Sequence, residues 1–183
     1  MASLERAGTP TRFRFLIGLM PLLCGLVCTV LTNIPVSVLG GLVPPPLLAL
    51  VPVYFWCLVR PDLMTPVVVL AIGFAEDLLS GGPPGVWTLS FLLTYALVAR
   101  YRDSFAGLAG LAAVVGFAAA ASFACAAAYC IVAALAFITP GAHSPPLGSS
   151  VSELAMTVLF YAPTVLVVSW LHHKLVGASR GDV

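Results

Sequence analysis

The chain has 183 residues, of which 61% are hydrophobic and only 8% carry a charge. A soluble domain has roughly 25% charged residues, and a soluble chain this apolar would expose far more hydrophobic surface than a monomer tolerates. The composition therefore excludes a soluble globular protein, and the net charge of +1 provides no excess of basic residues for binding nucleic acid. We expect one membrane domain, because the length leaves no room for a second, soluble one.

Six apolar runs follow one another along the chain, each ended by charged residues or by glycine and proline. They predict six transmembrane helices, since about 20 largely apolar residues cross a bilayer and shorter runs cross where it is thin. The predicted spans cover residues 15–31, 47–59, 63–79, 86–99, 105–137 and 151–171. The predicted fold class is an all-α integral membrane protein, a compact six-helix bundle at 15–172 between tails at 1–14 and 173–183.

Two of these runs need a closer interpretation. The first follows three arginines and imitates a secretory signal, but no small-residue cleavage site ends it, so we expect an uncleaved first helix. The fifth has 33 residues, which as one helix would be about 50 Å long against a hydrocarbon core of about 30 Å. A break within 107–116 is the alternative, but no polar turn is visible there, and one long helix is predicted.

The positive charges fix a topology. If the N-terminus is cytoplasmic, the three outer loops contain no Lys or Arg, as the positive-inside rule requires of short loops. All eight cations of the chain then lie on the cytoplasmic side: Arg6, Arg12, Arg14, Arg60, Arg100, Arg102, Lys174 and Arg180. We therefore expect a multi-pass inner-membrane protein with both termini in the cytoplasm.

Two adjacent carboxylates, Glu76 and Asp77, lie near the outer end of the third predicted helix, before a glycine-proline break. Neighbours on a helix differ by about 100° in direction, so the two cannot share a face. We predict that Asp77 accepts hydrogen bonds from the unpaired N–H groups that begin the fourth helix, with Thr88 and Ser90 as further donors. Two alternatives are that both carboxylates are hydrated at the interface, or that they belong to a proton or ion pathway.

Small residues recur along the fifth run, several of them four positions apart. Such spacing lets helices approach closely, either within the bundle or against a partner. The candidate packing face comprises Gly110, Gly116 and Ala120, and Ala106 and Ala112 belong to the same series of small residues.

Other features have structural interpretations. Ser150 and Glu153 fit the capping box that begins a helix, and Trp56, Trp87 and Trp170 lie at run ends, as aromatic belts do. The five cysteines are expected to be small buried apolar side chains. We find no nucleophile with a nearby base, no metal-ligand spacing and no phosphate-binding loop. The expectation is a protein that is not an enzyme and has no cofactor or metal.

The hairpin segment resembles a known family. The residues that carry this resemblance are Gly73, Phe74, Asp77, Leu78, Leu79, Ser80, Gly81, Pro83 and Gly85. They are similar to the signature hairpin of MreD, the rod shape-determining membrane protein. The resemblance extends to Arg60-Pro61-Asp62, to the total length and to the six-span pattern. Pro84 departs from the Leu often found there, and Glu76 is not a general feature of the family.

The resemblance implies a membrane scaffold subunit of the cell-wall elongation complex, without enzymatic activity, that maintains rod shape. Its implied partners are an MreC-like protein and, through it, MreB, RodA and a class B penicillin-binding protein, together with membrane lipid. It also implies a fold similar to the substrate-binding subunits of energy-coupling-factor vitamin importers. The implied structural and partner-binding hairpin comprises Gly73, Glu76, Asp77, Gly81, Pro83, Gly85 and Trp87. A small-solute uptake subunit and a membrane enzyme are the competing interpretations.

Overall fold

The computed structural model describes residues 11–34, 45–138 and 146–175, and every regular element in these ranges is a helix. The seven helices are α1 (Thr11–Asn33), α2 (Leu50–Val59), α3 (Pro66–Ser80), α4 (Val86–Arg100), α5 (Arg102–Ala106), α6 (Leu111–Ile138) and α7 (Leu147–Leu175). The all-α prediction is confirmed. Most of both predicted tails and of the first and third outer loops, with Arg6 and Arg180, lies outside the described residues.

The fifth apolar run is not one helix, contrary to our expectation. The short α5 ends at Ala106, and α6 begins only at Leu111. Gly110 turns the chain between them with a φ of +58°, a left-handed conformation that favours glycine. Leu108, between the two helices, packs on Gly116, where an added Cβ would lie 2.6 Å from its Cδ1 atom. A packed leucine and a glycine thus break the helix without any polar turn.

The last helix begins earlier than predicted, at Leu147. The capping box is therefore wrong, because Ser150 lies inside the first turn of α7. Ser149 instead donates its hydroxyl to the carbonyl of Pro146 at 2.7 Å. A proline directly before a helix has no N–H group to satisfy, which suits the start of α7 at this point.

Two helices, α6 and α7, are long and apolar enough to cross a membrane. Only 22% and 17% of their most apolar stretches is buried inside the protein. The central helix of a soluble domain would be mostly enclosed, whereas only a minority of the residues in these two stretches is buried. The other apolar helices are shorter: α2 has 10 residues and α3 and α4 have 15 each.

Successive long helices alternate in direction. The end of α3 meets the start of α4, and Tyr95 near the end of α4 donates its hydroxyl to the carbonyl of Met64 before α3. Residues near the ends of α1 and α3 meet through Asn33 and Glu76, so these two helices are parallel. The remaining contacts place α1, α3 and α6 in one direction and α2, α4 and α7 in the other. Arg60, Arg100, Arg102 and Lys174 consequently lie at one end of the bundle.

The short helix α2 forms the centre of the core, and most of its side chains are buried. Trp56 is completely buried against Phe55 and His172, so its prediction as an interfacial belt residue is wrong. Trp170 is exposed, and the Lys174 ammonium lies 4.7 Å from the centre of its ring. Cys24, Cys28, Cys57 and Cys125 are buried as expected, whereas Cys130 is exposed.

Two threonines satisfy the backbone where the chain enters α2. The N–H of Leu47 donates to Oγ1 of Thr157 at 2.9 Å. The N–H of Leu48 is shared between the carbonyl of Pro46 at 2.9 Å and Oγ1 of Thr32 at 3.3 Å. These are the first N–H groups after the prolines at 44–46. An unpaired N–H group in an apolar interior is costly, so side chains of α1 and α7 make it possible for α2 to begin inside the bundle.

The helices α3 and α4 touch at Gly73. A Cβ atom added to this glycine would lie 2.6 Å from the Cα atom of Thr88, which is backbone and cannot turn aside. The contact brings the next turn of α3, with Asp77, against the beginning of α4.

We predict that Gly73→Ala destabilises the bundle by about 1–3 kcal/mol, because the added methyl group pushes α3 and α4 apart. Thermal unfolding of the purified protein in detergent measures the change. Gly148→Ala is the matched control, since that helical glycine has no atom within 4 Å of an added Cβ. Equal unfolding temperatures for the two variants would contradict the close contact.

Candidate functional site

The hairpin between α3 and α4 turns on two glycines. Gly81 ends α3 with a φ of +67°, and Gly85 precedes α4 with a φ of +95°. Both conformations are left-handed and disfavour any residue with a Cβ. Between them, Gly82, Pro83 and Pro84 are exposed, so the tip of the hairpin is open to its surroundings.

Asp77 joins the two arms of this hairpin. Its Oδ1 accepts the N–H of Trp87 at 2.8 Å, and its Oδ2 accepts the N–H groups of Gly85 and Thr88, each at 3.0 Å. The hydroxyl of Thr88 also donates to Oδ2, at 2.5 Å. These four bonds confirm the prediction that Asp77 accepts hydrogen bonds from the N–H groups at the start of α4. A negative charge at this position is also favourable for the positive end of the α4 dipole.

Other predicted members of the hairpin have different positions. Ser90 does not bond to Asp77, since its hydroxyl donates to the carbonyl of Val86 one turn earlier, at 2.7 Å. Trp87 is half-buried, with its ring 6.1 Å from that of Phe91. Pro83 lies at the exposed tip and lines a cleft of about 180 Å³ between the hairpin, α6 and α7. The carboxylate residue Glu153 lines the same cleft.

Glu76 points in another direction, towards α1. The Nδ2 atom of Asn33 donates to Oε1 of Glu76 at 3.0 Å and to the carbonyl of Thr29 at 2.9 Å. Glu76 and Asp77 are only 3% and 5% exposed, so the alternative of two hydrated interfacial carboxylates is wrong. The two acids face different helices, as their 100° separation on α3 predicts. Asp77 bonds to α4, and Glu76 bonds to α1.

The candidate packing face of the fifth run is only partly a helix face. Gly116 and Ala120 are buried in α6, and Gly116 contacts Leu108, Phe105 and the hydroxyl of Tyr54. Gly110 lies before α6 in a left-handed turn, with open space around it. Gly116 and Ala120 thus pack within the bundle, whereas Gly110 allows the turn before α6.

The opposite end of the bundle carries an ion pair in the Arg60-Pro61-Asp62 turn. Nη2 of Arg60 lies 2.9 Å from Oδ2 of Asp62. The hydrogen bond from this guanidinium lowers the pKa of the Asp62 carboxyl. The Asp62 side chain is 57% exposed and the Arg60 side chain 30% exposed, so solvent weakens the pair, and it orders the turn more than it stabilises the fold.

Sequence reasoning missed four polar residues in the half of the bundle that contains the hairpin: Thr29, Thr32, Asn33 and Thr157. Thr29, Thr32 and Asn33 follow one another at helical spacing at the end of α1, and Thr157 lies inside the apolar run that forms α7. In a membrane-embedded helix such residues are costly unless they bond to something. That cost is the signal that could have identified them. Within the described ranges, no group of three or more His, Cys, Asp or Glu residues could hold a metal ion.

Comparison of the chain with known proteins identifies no relative: no family model, no curated protein and no solved structure matches it.

We predict that Asp77→Ala lowers the free energy of unfolding by at least about 3 kcal/mol and reduces the folded yield in membranes. The reason is that three backbone N–H groups and one hydroxyl lose a charged acceptor at once. Size-exclusion profiles and thermal unfolding in detergent measure both effects. Asp103→Ala is the control, because Asp103 is an exposed acid in α5. Yields and unfolding temperatures equal to those of the control would refute the role of Asp77.

Proposed function

We propose that this chain is an MreD-like scaffold subunit of the bacterial cell-wall elongation complex and that it is not an enzyme. One observation carries the proposal. The residues on which the family resemblance rests, Asp77, Gly81 and Gly85, are the ones that build the α3–α4 hairpin. Asp77 receives the start of α4, and the glycines supply the two left-handed turns. A resemblance in residues that have such specific conformations and bonds supports the family assignment better than a resemblance in apolar residues alone.

The proposed topology has six crossings, made by every helix except the short α5, with both termini in the cytoplasm. The alternating directions of the helices support it, and so does the position of Arg60, Arg100, Arg102 and Lys174 at one end. Helices of 10 and 15 residues are only about 15 and 22 Å long. Short crossings of this kind fit a bundle in which non-helical backbone is enclosed by protein, as at Leu47 and Leu48.

The partner-binding surface that we propose is an apolar groove between α1 and α7, with a volume of about 500 Å³. Val27 and Leu31 of α1 and Val167 of α7 are exposed on it. A single transmembrane helix, such as that of an MreC-like protein, fits a groove of this shape between two long helices. A vitamin-binding cavity would instead need several polar groups converging from different helices. The groove is lined almost entirely by hydrocarbon.

Depletion of the protein in a rod-shaped host tests the proposed function. We expect rounded cells, because the elongation complex loses its membrane scaffold, and we expect an MreC-like protein to co-purify from detergent extracts. Normal cell shape with loss of uptake of a vitamin would favour the importer subunit instead.

Bulky substitutions test the proposed groove. Val27→Trp or Val167→Trp should reduce co-purification of the MreC-like partner at least tenfold, equivalent to about 1.4 kcal/mol, because the indole fills the space for the partner helix. Val115→Trp is the matched control, as Val115 is an exposed valine of α6 outside the groove. Unchanged recovery with both groove variants would place the partner elsewhere.

A further inference from the structure

A second buried site lies beside the hairpin, at the contact of α1 with α3. It is built from Glu76, Thr29 and Asn33. Glu76 is 3% exposed and Thr29 is completely buried. One carboxylate oxygen of Glu76 accepts the Asn33 amide, and the hydroxyl of Thr29 faces the same carboxyl group.

Two oxygen atoms of this site have no hydrogen-bond partner among the described residues. They are Oε2 of Glu76 and Oγ1 of Thr29. Buried polar atoms are nearly always paired, and each exception calls for a reason. Two such oxygens in one site, one of them on a carboxylate, point to a ligand that accepts electron density from both.

No positive charge of the described residues reaches Glu76. The side chains of α1 at the site, Asn33 and Thr29, are uncharged. The neighbouring residue on α3, Asp77, is an acid and is bonded to α4. The ionisable side chains of α4, Tyr95 and Arg100, lie near its other end. From α7 a second acid, Glu153, interacts unfavourably with Glu76. A buried carboxylate surrounded in this way requires neutralisation.

We infer that Glu76 and Thr29 form an internal binding site for a small monovalent cation, a proton or Na⁺. With a proton, Oε2 of Glu76 carries the hydrogen and donates it to Oγ1 of Thr29. With Na⁺, both oxygens serve as ligands, since oxygen donors suit a hard cation. In either case the cation removes the charge that opposes the contact between α1 and α3. The inference is independent of the scaffold function, because it concerns the stability of the chain alone.

Thermal unfolding of the full-length protein in detergent tests the site. The wild type and Glu76→Gln are compared at about pH 6 and about pH 9, well above the usual Glu range, in sodium or choline chloride of equal ionic strength. A cation that binds only the folded state raises its unfolding temperature. We expect the wild type to lose about 3 °C or more at the higher pH in choline chloride. Glutamine keeps the acceptor for Asn33 without the charge, so the variant should not respond.

The two cations give different results. If the site holds a proton, sodium restores nothing at the higher pH; if it holds Na⁺, the unfolding temperature rises with the sodium concentration at fixed pH. Asp103→Asn is the control for exposed acids and should behave as the wild type. A wild type that responds to neither pH nor sodium, or a Glu76→Gln protein that responds equally, would overturn the site.

Thr29→Val provides a second variant if the glutamine substitution prevents folding. Valine has nearly the shape of threonine but no hydroxyl. We expect it to shift the midpoint of the pH or sodium dependence by about tenfold in cation concentration, the effect of one hydrogen bond to a charged group. An unchanged midpoint would remove Thr29 from the site and overturn the two-oxygen geometry.

Discussion

One carboxylate organises the end of the bundle at which α3 meets α4. Asp77 accepts three backbone N–H groups and a hydroxyl from the first residues of α4, in surroundings where those N–H groups would otherwise be unpaired. The contact stabilises both partners, because an unpaired carboxylate and the unpaired N–H groups of a helix start each cost free energy when they are buried. The glycines at 81 and 85 make the turn, and Gly73 brings the two helices close enough for the contact.

The same constraint operates at two further points of the described chain, at the entry to α2 and at the contact of α1 with α3. The chain enters α2 after a run of prolines, and hydroxyls of Thr32 and Thr157 receive its first two N–H groups. The Asn33 amide joins α1 to Glu76 on α3. Each of these polar side chains comes from a helix different from the group that it serves. Asp77, Asn33, Thr32 and Thr157 thus connect different parts of the bundle to one another.

Much of this arrangement could be predicted from the sequence. The apolar runs are long and clearly interrupted, so the helices α1, α3 and α4 lie close to their predicted places. The position of Asp77 before a glycine-proline break also predicted that it would bond to the start of α4. The break at 107–110 was only an alternative at the level of the sequence, because it depends on Leu108 packing against Gly116 rather than on a polar turn. Trp56 was misassigned for a similar reason. Its place at the end of an apolar run does not reveal that other helices enclose α2.

The topology is best tested by labelling single cysteines in intact cells with a membrane-impermeant maleimide, after replacing the exposed Cys130 by alanine. Gly82→Cys places the thiol at the exposed tip of the hairpin, and Ser104→Cys places it on α5 at the end of the bundle that carries the arginines. We expect Gly82→Cys to be labelled in intact cells and Ser104→Cys only after the cells are permeabilised. Labelling of both from outside, or of Ser104→Cys alone, would contradict an outward hairpin and the six-crossing bundle built on it.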